Sequence, residues 1–133
     1  MSQQTLIILK PDSVKRNLVG EILSRFEKRG FVISKLKMLT FTREMAEQFY
    51  SVHSTKPFFN ELVTYITSGK VVVAVIAGDN AIEETRQIIG KTNPEEASSG
   101  TIRGDFGNNI TENSIHASAV SYTHLTLPTI CSV

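Results

Sequence analysis

The sequence contains one cysteine, Cys131, and lacks any long apolar segment. A single cysteine excludes an intramolecular disulfide and a metal site built from several cysteines. No apolar run approaches the roughly 20 residues that a membrane-spanning helix needs. Residues 1–4 also lack the charged and apolar regions of a signal peptide, so we expect a cytoplasmic protein.

An excess of either charge is missing as well. The 14 Lys and Arg residues nearly balance the 13 Asp and Glu residues, which leaves a formal net charge of +1. This balance argues against a protein that coats nucleic acid, so neither a specific nucleic-acid partner nor a membrane is expected. With 133 residues, the chain can form one domain that buries roughly two-thirds of its unfolded surface.

Apolar runs and apolar stripes with helical spacing alternate along the chain. Residues 71–77 are apolar throughout and predict a central strand, whereas residues 31–41 alternate and predict a strand with one more exposed face. The first half of the chain predicts strand 5–10, a helix that Asp12 or Ser13 caps and Gly30 ends, strand 31–41, and a short helix capped by Thr42. The second half predicts a helix from Pro57 to Gly69, strand 71–77, and a helix to Ile89 that begins with a capping box of Asn80 and Glu83. A loop over 91–112 and strand 114–118 follow.

Two architectures fit this order of elements. Strands that alternate with helices are typical of a parallel sheet. A four-stranded antiparallel sheet with helices packed on one face also fits, and the alternation in residues 31–41 favours it.

The long loop leads to the main candidate for a reactive group, His116. A loop of this length inside a compact domain is usually functional or disordered. Arg103 and Lys91 lie in the loop, and Lys10 ends the first predicted strand. An imidazole among fixed cations suits phosphoryl transfer, because cations offset the charge of phosphate oxygens and a ring nitrogen offers a lone pair. A lone histidine is more often a structural hydrogen-bond donor, so both interpretations stay open at this point.

Three further side chains have no role that the sequence alone assigns. Phe58 lies off the apolar stripe of its helix and could stack on a base or pack at the rim of the core. Tyr50 also lies off the stripe of its helix and is equally undecided. Arg86 lies on a polar helix face, where a solvated charge is the usual state.

Several motifs together resemble those of the nucleoside diphosphate kinase family. Residues 113–118 read NSIHAS and are similar to the family's active-site signature, N-x-x-H-[GA]-S. Further motifs follow the family's order and are KPD at 10–12, R-x-LVGEI at 16–22, TNP at 92–94 and GTIRGDF at 100–106. The likeness covers residues 4–118, and several motifs in the right order are more specific than any single one.

The resemblance implies a fold and an activity. The family fold is an α+β sandwich of ferredoxin-like βαββαβ type, with a four-stranded antiparallel sheet and helices packed against it. The implied activity is a ping-pong transfer of the γ-phosphoryl group from a nucleoside triphosphate, typically ATP, to a nucleoside diphosphate through phospho-His116. Magnesium (Mg²⁺) is expected to bind through the nucleotide phosphates rather than to a protein site. The resemblance also implies that the protein with its native C-terminal sequence forms a homo-oligomer.

The resemblance also implies roles for individual residues. His116 would be the nucleophile, with Lys10 and Tyr50 as further catalytic residues, and Ser118 would orient the site. The implied nucleotide-binding residues are Lys10, Tyr50, Arg86, Thr92, Arg103 and Asn113 around the phosphates and ribose, with Phe58 stacked on the base and Ile110 on its other side.

The last part of the chain departs from the family pattern. Residues 119–133 contain no Asp, Glu, Lys or Arg and hold the only cysteine. Residues 120–129 resemble a translated sequencing adapter, so we expect a nucleoside diphosphate kinase-like domain at 1–118 and a non-native tail at 119–133, with a genuine C-terminal strand as the alternative. In the family, the signature is followed by Asp-Ser and then by a helix whose glutamate hydrogen-bonds the catalytic imidazole. In this chain Ala119 takes the place of that Asp, and the helical sequence is missing. The alternative function is therefore a nucleotide-binding module with weak or no turnover.

Overall fold

The computed structural model describes residues 2–51, 54–91, 93–107 and 114–117. Within these residues no helix has the length and apolar character needed to cross a membrane. The elements in chain order are β1 (Ser2–Leu9), α1 (Pro11–Lys15), α2 (Val19–Lys28), β2 (Val32–Thr40), α3 (Arg43–Phe49), α4 (Phe59–Ile66), β3 (Lys70–Asp79), α5 (Ala81–Ile89), α6 (Ile102–Phe106) and β4 (Ile115–Ala117).

The strands form one sheet in the order β2-β3-β1-β4. β3 pairs antiparallel with both β1 and β2, and β4 pairs antiparallel with β1. Residues 71–76 of β3 are all buried, as expected for a strand in the middle of a sheet. The ferredoxin-like α+β architecture is therefore confirmed, and the parallel alternative is wrong.

Helices cover both faces of this sheet. One face packs against α2 and α5, where Phe26 is fully buried, and the other packs against α3 and α4, where Ile66 is fully buried. The expectation that helices pack on one face only is therefore wrong. The physical reason is that β1 and β3 carry apolar side chains at successive positions, so both faces must be removed from water.

The helix starts differ from the prediction at the N-terminal end of the chain. The single helix expected before Gly30 is divided into α1 and α2 by Asn17, whose φ of 59° is left-handed and interrupts the helical backbone. The N-cap residue of α1 is Lys10 and makes no side-chain capping bond. Asp12 and Ser13, the predicted caps, lie inside α1 instead.

Of the other predicted helix starts, one is confirmed and two are wrong. The hydroxyl oxygen of Thr42 accepts a hydrogen bond from the backbone N–H of Met45 at 3.1 Å, which confirms that cap. Asn80 has a φ of 56° and makes no side-chain capping bond, so the predicted capping box is wrong although α5 ends at Ile89 as expected. α4 begins at Phe59 rather than at Pro57, and α6 lies inside the predicted loop.

Candidate active site

β4 carries His116 along the edge of the sheet beside β1. His116 pairs with Ile8 across the two strands, and Ile115 pairs with Leu9. Just before β4, the carbonyl oxygen of Ser114 accepts a hydrogen bond from the backbone N–H of Lys10 at 2.9 Å. The end of β1 and the strand that carries the candidate nucleophile are therefore held side by side.

The imidazole of His116 contacts the ring of Phe49, the last residue of α3. The two ring centroids are 4.8 Å apart and the rings are inclined by 76°. Phe49 makes a similar edge contact with Tyr50, at 4.8 Å and 69°. Such contacts restrict the orientation of a ring without occupying its nitrogens. The spacing of apolar residues in α3 places Phe49 on its buried face, but helical spacing does not show which residue lies opposite.

Arg103 extends from α6 to the backbone next to His116. One terminal nitrogen of its guanidinium donates a hydrogen bond to the carbonyl oxygen of Gly90 at 3.2 Å, and the other donates to that of Ile115 at 2.8 Å. Its Nε is buried and has no hydrogen-bond partner among the described residues. An unsatisfied buried donor is unfavourable, so an acceptor that reached it would stabilise the site.

Burial changes the ionisation of three side chains predicted for the site. Burial, followed by the charge of Arg103, lowers the pKa of Lys10 to about 8, and Asp12 acts in the opposite direction. Burial raises the pKa of Tyr50 to about 12, against the influence of Arg103. Burial and then the charge of Arg86 lower the pKa of Arg103 to about 10, with Tyr50 opposing them. Since Arg103 interacts unfavourably with both Lys10 and Arg86, the cluster is complementary to an anion.

Arg86 and Phe58 lie on more accessible surfaces. Arg86 is exposed on α5, and its influence on Arg103 places it within electrostatic range of the site. Phe58 is the N-cap residue of α4 and its side chain is 43% exposed, whereas Phe59 packs against the core. Phe58 is therefore partly accessible to solvent, unlike most aromatic residues of the core.

α6, the helix that carries Arg103, is attached to α2 by polar contacts. The guanidinium of Arg25 lies 2.9 Å from the carboxylate of Asp105 and 4.6 Å from the ring centroid of Phe106. The backbone N–H of Gly100 donates to Asp105, and this bond is the first cause of the lowered pKa of that carboxylate.

Thr101 caps α6 by accepting a hydrogen bond from the backbone N–H of Gly104 at 3.1 Å. A threonine before an apolar residue was the only signal for α6 in the sequence.

The structure thus brings His116, Lys10, Tyr50 and Arg103 together and links Arg86 to them through Arg103. Four other predicted site residues and the expected domain boundary after residue 118 lie outside the described residues. Those four residues are Thr92, Ile110, Asn113 and Ser118.

Comparison with known proteins gives one consistent family. The nucleoside diphosphate kinase family model matches residues 3–124. A nucleoside diphosphate kinase from Picrophilus torridus is 51% identical over 124 residues, which cover 92% of this chain and 90% of the relative. One from Methanocaldococcus jannaschii is 51% identical over 118 residues, which cover 89% of this chain and 84% of the relative.

Solved structures agree with the sequence comparison. The Aquifex aeolicus nucleoside diphosphate kinase aligns with a TM-score of 0.88 at 47% sequence identity. The alignment covers 90% of this chain and 87% of the Aquifex aeolicus chain. The Halobacterium salinarum nucleoside diphosphate kinase in complex with CDP aligns with a TM-score of 0.87 at 41% sequence identity. That alignment covers 89% of this chain and 78% of the Halobacterium salinarum chain. The motifs, the sheet order and these alignments agree, and the chain therefore belongs to the nucleoside diphosphate kinase family of phosphotransferases.

Proposed function

We propose that the phosphoryl transfer of this family proceeds here through His116. A ring nitrogen attacks the γ-phosphorus of a nucleoside triphosphate, the bond from that phosphorus to the bridging oxygen breaks, and the diphosphate leaves with the electron pair. A terminal oxygen of a second diphosphate then attacks the phosphohistidine, the N–P bond breaks and the imidazole is restored. The observation that carries this proposal is the hydrogen bond, 2.8 Å long, from Arg103 to the residue directly before His116.

The cations around His116 would act on the charge of the transferred group. Positively charged side chains fixed in a buried site stabilise charge on phosphoryl oxygens more strongly than they would in water. Lys10 and Arg103 are buried or partly buried and held by hydrogen bonds that involve the backbone. Tyr50, whose pKa is raised to about 12, would remain a hydroxyl donor. The remaining phosphate and ribose contacts would come from Arg86, Thr92 and Asn113, with Ser118 orienting the site.

Phe58 would hold the base of the nucleotide by stacking, with Ile110 on the other side. The 43% exposure of the Phe58 ring supports this role. Stacking uses the face of a base and leaves its hydrogen-bonding edge unread, so different bases would be accepted. The related structure in complex with CDP supports a nucleotide as the ligand.

Mg²⁺ would enter the site with the nucleotide. The described residues contain no group of three or more His, Cys, Asp or Glu side chains that could hold a metal ion. The predicted site is instead rich in cationic side chains, which can bind phosphate oxygens but cannot ligate a metal, so Mg²⁺ would be held by the nucleotide phosphates. Bound in this way, Mg²⁺ would neutralise phosphate charge, while Lys10 and Arg103 contact the remaining oxygens.

The wider context of the molecule remains part of this proposal. We infer a homo-oligomer, because Leu36 and Met38 on β2 are 57% and 51% exposed and large apolar side chains on a sheet are often covered by another subunit. A cytoplasmic location and a division into residues 1–118 and a non-native tail at 119–133 are also proposed. The lack of Asp, Glu, Lys and Arg in residues 119–133 supports this division.

Phosphorylation of His116 can be tested with γ-labelled ATP and Mg²⁺. The wild-type chain is expected to take up label that is lost in acid, as phosphohistidine is, and to pass it to an added nucleoside diphosphate. His116→Ala is expected to take up none. His53→Ala is the matched control, because it removes another of the three histidines, and it is expected to be labelled like the wild type.

Acid-stable label, or label that survives in His116→Ala, would contradict the proposal. ADP binding without any exchange of label between ATP and other diphosphates would favour the alternative, a nucleotide-binding module without turnover. Isothermal titration and the labelling assay on the same preparation separate these two results.

A further inference from the structure

A buried hydrogen-bond cluster centred on Asp12 joins α1, α4 and the turn before β4. The Asp12 side chain is almost completely buried. Its carboxylate accepts a hydrogen bond from the hydroxyl of Tyr65 in α4 and another from the hydroxyl of Ser114 at 3.2 Å. The oxygen of the Tyr65 hydroxyl accepts a hydrogen bond from the backbone N–H of Asp12 at 2.8 Å. These bonds connect elements that are far apart in the sequence.

The turn at Ser114 needs such support because its backbone is strained. Ser114 has a φ of 77°, in the left-handed region that residues with a side chain seldom adopt, and it is fully buried. Its carbonyl oxygen accepts hydrogen bonds from the hydroxyl of Ser13 at 2.7 Å and from the N–H of Lys10 at 2.9 Å. Its side chain is bonded to Asp12. Ser114 lies directly before β4 and two residues before His116, so its conformation affects the direction in which β4 continues.

The cluster also acts on a cation of the site. Asp12 raises the pKa of Lys10, against the larger effect of burial and against the charge of Arg103. A buried carboxylate is itself unfavourable, and apolar side chains of similar size would often pack there at lower cost. What the carboxylate adds is a defined geometry for the turn and a negative charge near Lys10.

We infer that Asp12 and Tyr65 are positioning residues for phosphoryl transfer: their hydrogen bonds hold the turn at Ser114 and thereby set the direction in which β4 presents His116. This inference rests on the proposed role of His116. Neither residue needs to touch the nucleotide. Small displacements of a nucleophile reduce the rate strongly, because the attacking nitrogen must lie in line with the bond that breaks.

The inference can be tested by the rate of His116 phosphorylation in a single turnover with labelled ATP. Tyr65→Phe removes only the hydroxyl, and Asp12→Asn removes the charge while it keeps the shape. Both are expected to slow phosphorylation by about tenfold or more, with little change in the Kd for ADP in Tyr65→Phe. Rates are referred to the folded, ADP-binding fraction of each variant.

Thr67→Val is the matched control for loss of a hydrogen bond at the end of α4. The Thr67 hydroxyl donates to the carbonyl oxygens of Val63 at 2.9 Å or Thr64 at 3.0 Å, within its own helix. We expect this variant to lose stability and to keep the wild-type rate of phosphorylation. A slowing in Thr67→Val equal to that in Tyr65→Phe would overturn the inference, because it would show a general effect of a weakened helix.

The pH dependence of kcat/KM supplies a readout that a purely structural role would not change. The charged groups that act on Lys10 are Asp12 and Arg103, and both remain in Tyr65→Phe. Asp12→Asn should therefore shift the alkaline limb to lower pH, while Tyr65→Phe should leave it in place.

Each outcome of these experiments has a distinct meaning. Wild-type rates in both Tyr65→Phe and Asp12→Asn would overturn the inference and leave the proposed function intact, and an alkaline limb unchanged in Asp12→Asn would overturn only the effect of Asp12 on the charge of Lys10. A wild-type chain that takes up no label on His116 would overturn the proposed function itself, whatever the variants do.

Discussion

Lys10 and Arg103 carry charge where burial opposes it, and this is the main feature of the site at the scale of single residues. Burial is the first cause of the lowered pKa of both side chains. Groups held in this way lose part of their hydration before a ligand arrives, so they can interact more strongly with phosphate oxygens. The same arrangement destabilises the folded chain without a ligand, and we expect nucleotides to stabilise it.

The alkaline limb of activity tests the state of Lys10. Below its pKa of about 8 the side chain is charged and can bind phosphate, and above that pH it becomes neutral. We therefore expect kcat/KM, which reports the free enzyme, to fall as the pH rises through about 8. In Lys10→Arg the guanidinium does not titrate in this range, so any remaining activity should lack this limb. A limb that persists in Lys10→Arg would assign it to another group.

Replacement of Arg103 by lysine keeps the positive charge but removes the pair of hydrogen bonds that the two terminal nitrogens of the guanidinium donate, which together form a fork. Lysine lacks the two separate terminal nitrogens that donate to the carbonyl oxygens of Gly90 and Ile115, so we expect a loss of roughly 1–3 kcal/mol in the free energy of unfolding. The rate of transfer should also fall. Urea unfolding and steady-state kinetics measure the two effects.

Arg43→Lys is the control for that experiment, because Arg43 forms an exposed ion pair with Glu47 at 3.2 Å. It should change the free energy of unfolding by less than about 0.5 kcal/mol. Equal effects of the two substitutions would contradict a special role for the Arg103 fork.

At the scale of elements, α6 matters most because it carries Arg103 to the site. Gly104 lies in this short helix against the turn at Ser98. A Cβ atom added to Gly104 would lie 2.2 Å from the backbone oxygen of Ser98, a distance that forces the backbone to move. The close approach requires glycine and couples the shape of the turn to the position of Arg103.

Gly104→Ala is therefore expected to lower the free energy of unfolding by about 1–3 kcal/mol and to reduce activity as Arg103 shifts. The matched control is Gly20→Ala in α2, where an added Cβ meets nothing within 4 Å. That variant should gain about 0.5–1 kcal/mol, because alanine favours the helix. Thermal unfolding and the transfer assay measure both variants, and a tolerated Gly104→Ala would show that α6 has room to adjust.

At the scale of the whole molecule, the exposed apolar side chains of β2 support the proposed contact with another subunit. Leu36 and Met38 pair with Ala74 and Val72 of β3, yet they remain largely exposed because β2 lies at the end of the sheet order. An exposed apolar face on an outer strand of the sheet favours association.

We predict that the double substitution Leu36→Glu and Met38→Glu lowers the oligomeric mass measured by analytical ultracentrifugation. Charged side chains cannot be buried in an apolar contact without a large desolvation cost. Lys35→Glu, at an exposed position of the same strand, should leave the mass unchanged. An unchanged mass in the double variant would exclude this face as the contact.

Much of the fold could be predicted because its signals are local. Residues 71–76 are buried as their continuous apolar run indicates, and Thr42 caps α3 as its residue type indicates. The left-handed backbone at Asn17 and Asn80 was missed. Asparagine adopts this conformation more readily than most residues, but its residue type alone does not show which asparagine does so. Helices on both faces were missed for a similar reason, because helical spacing does not show which face of a sheet a helix will cover.

The amino-acid sequence by itself determined the positions of the four strands, the family and the candidate nucleophile, because periodicity and motif spacing are properties of short segments. Only the tertiary structure decided that His116 contacts Phe49, that Arg103 bonds to the residue before His116, and that Asp12 supports the turn at Ser114. These are contacts between distant segments, and they depend on the pairing of β1 with β4 and on the packing of helices on both faces. The chemistry of the site is encoded in its residue types, but its geometry exists only after folding.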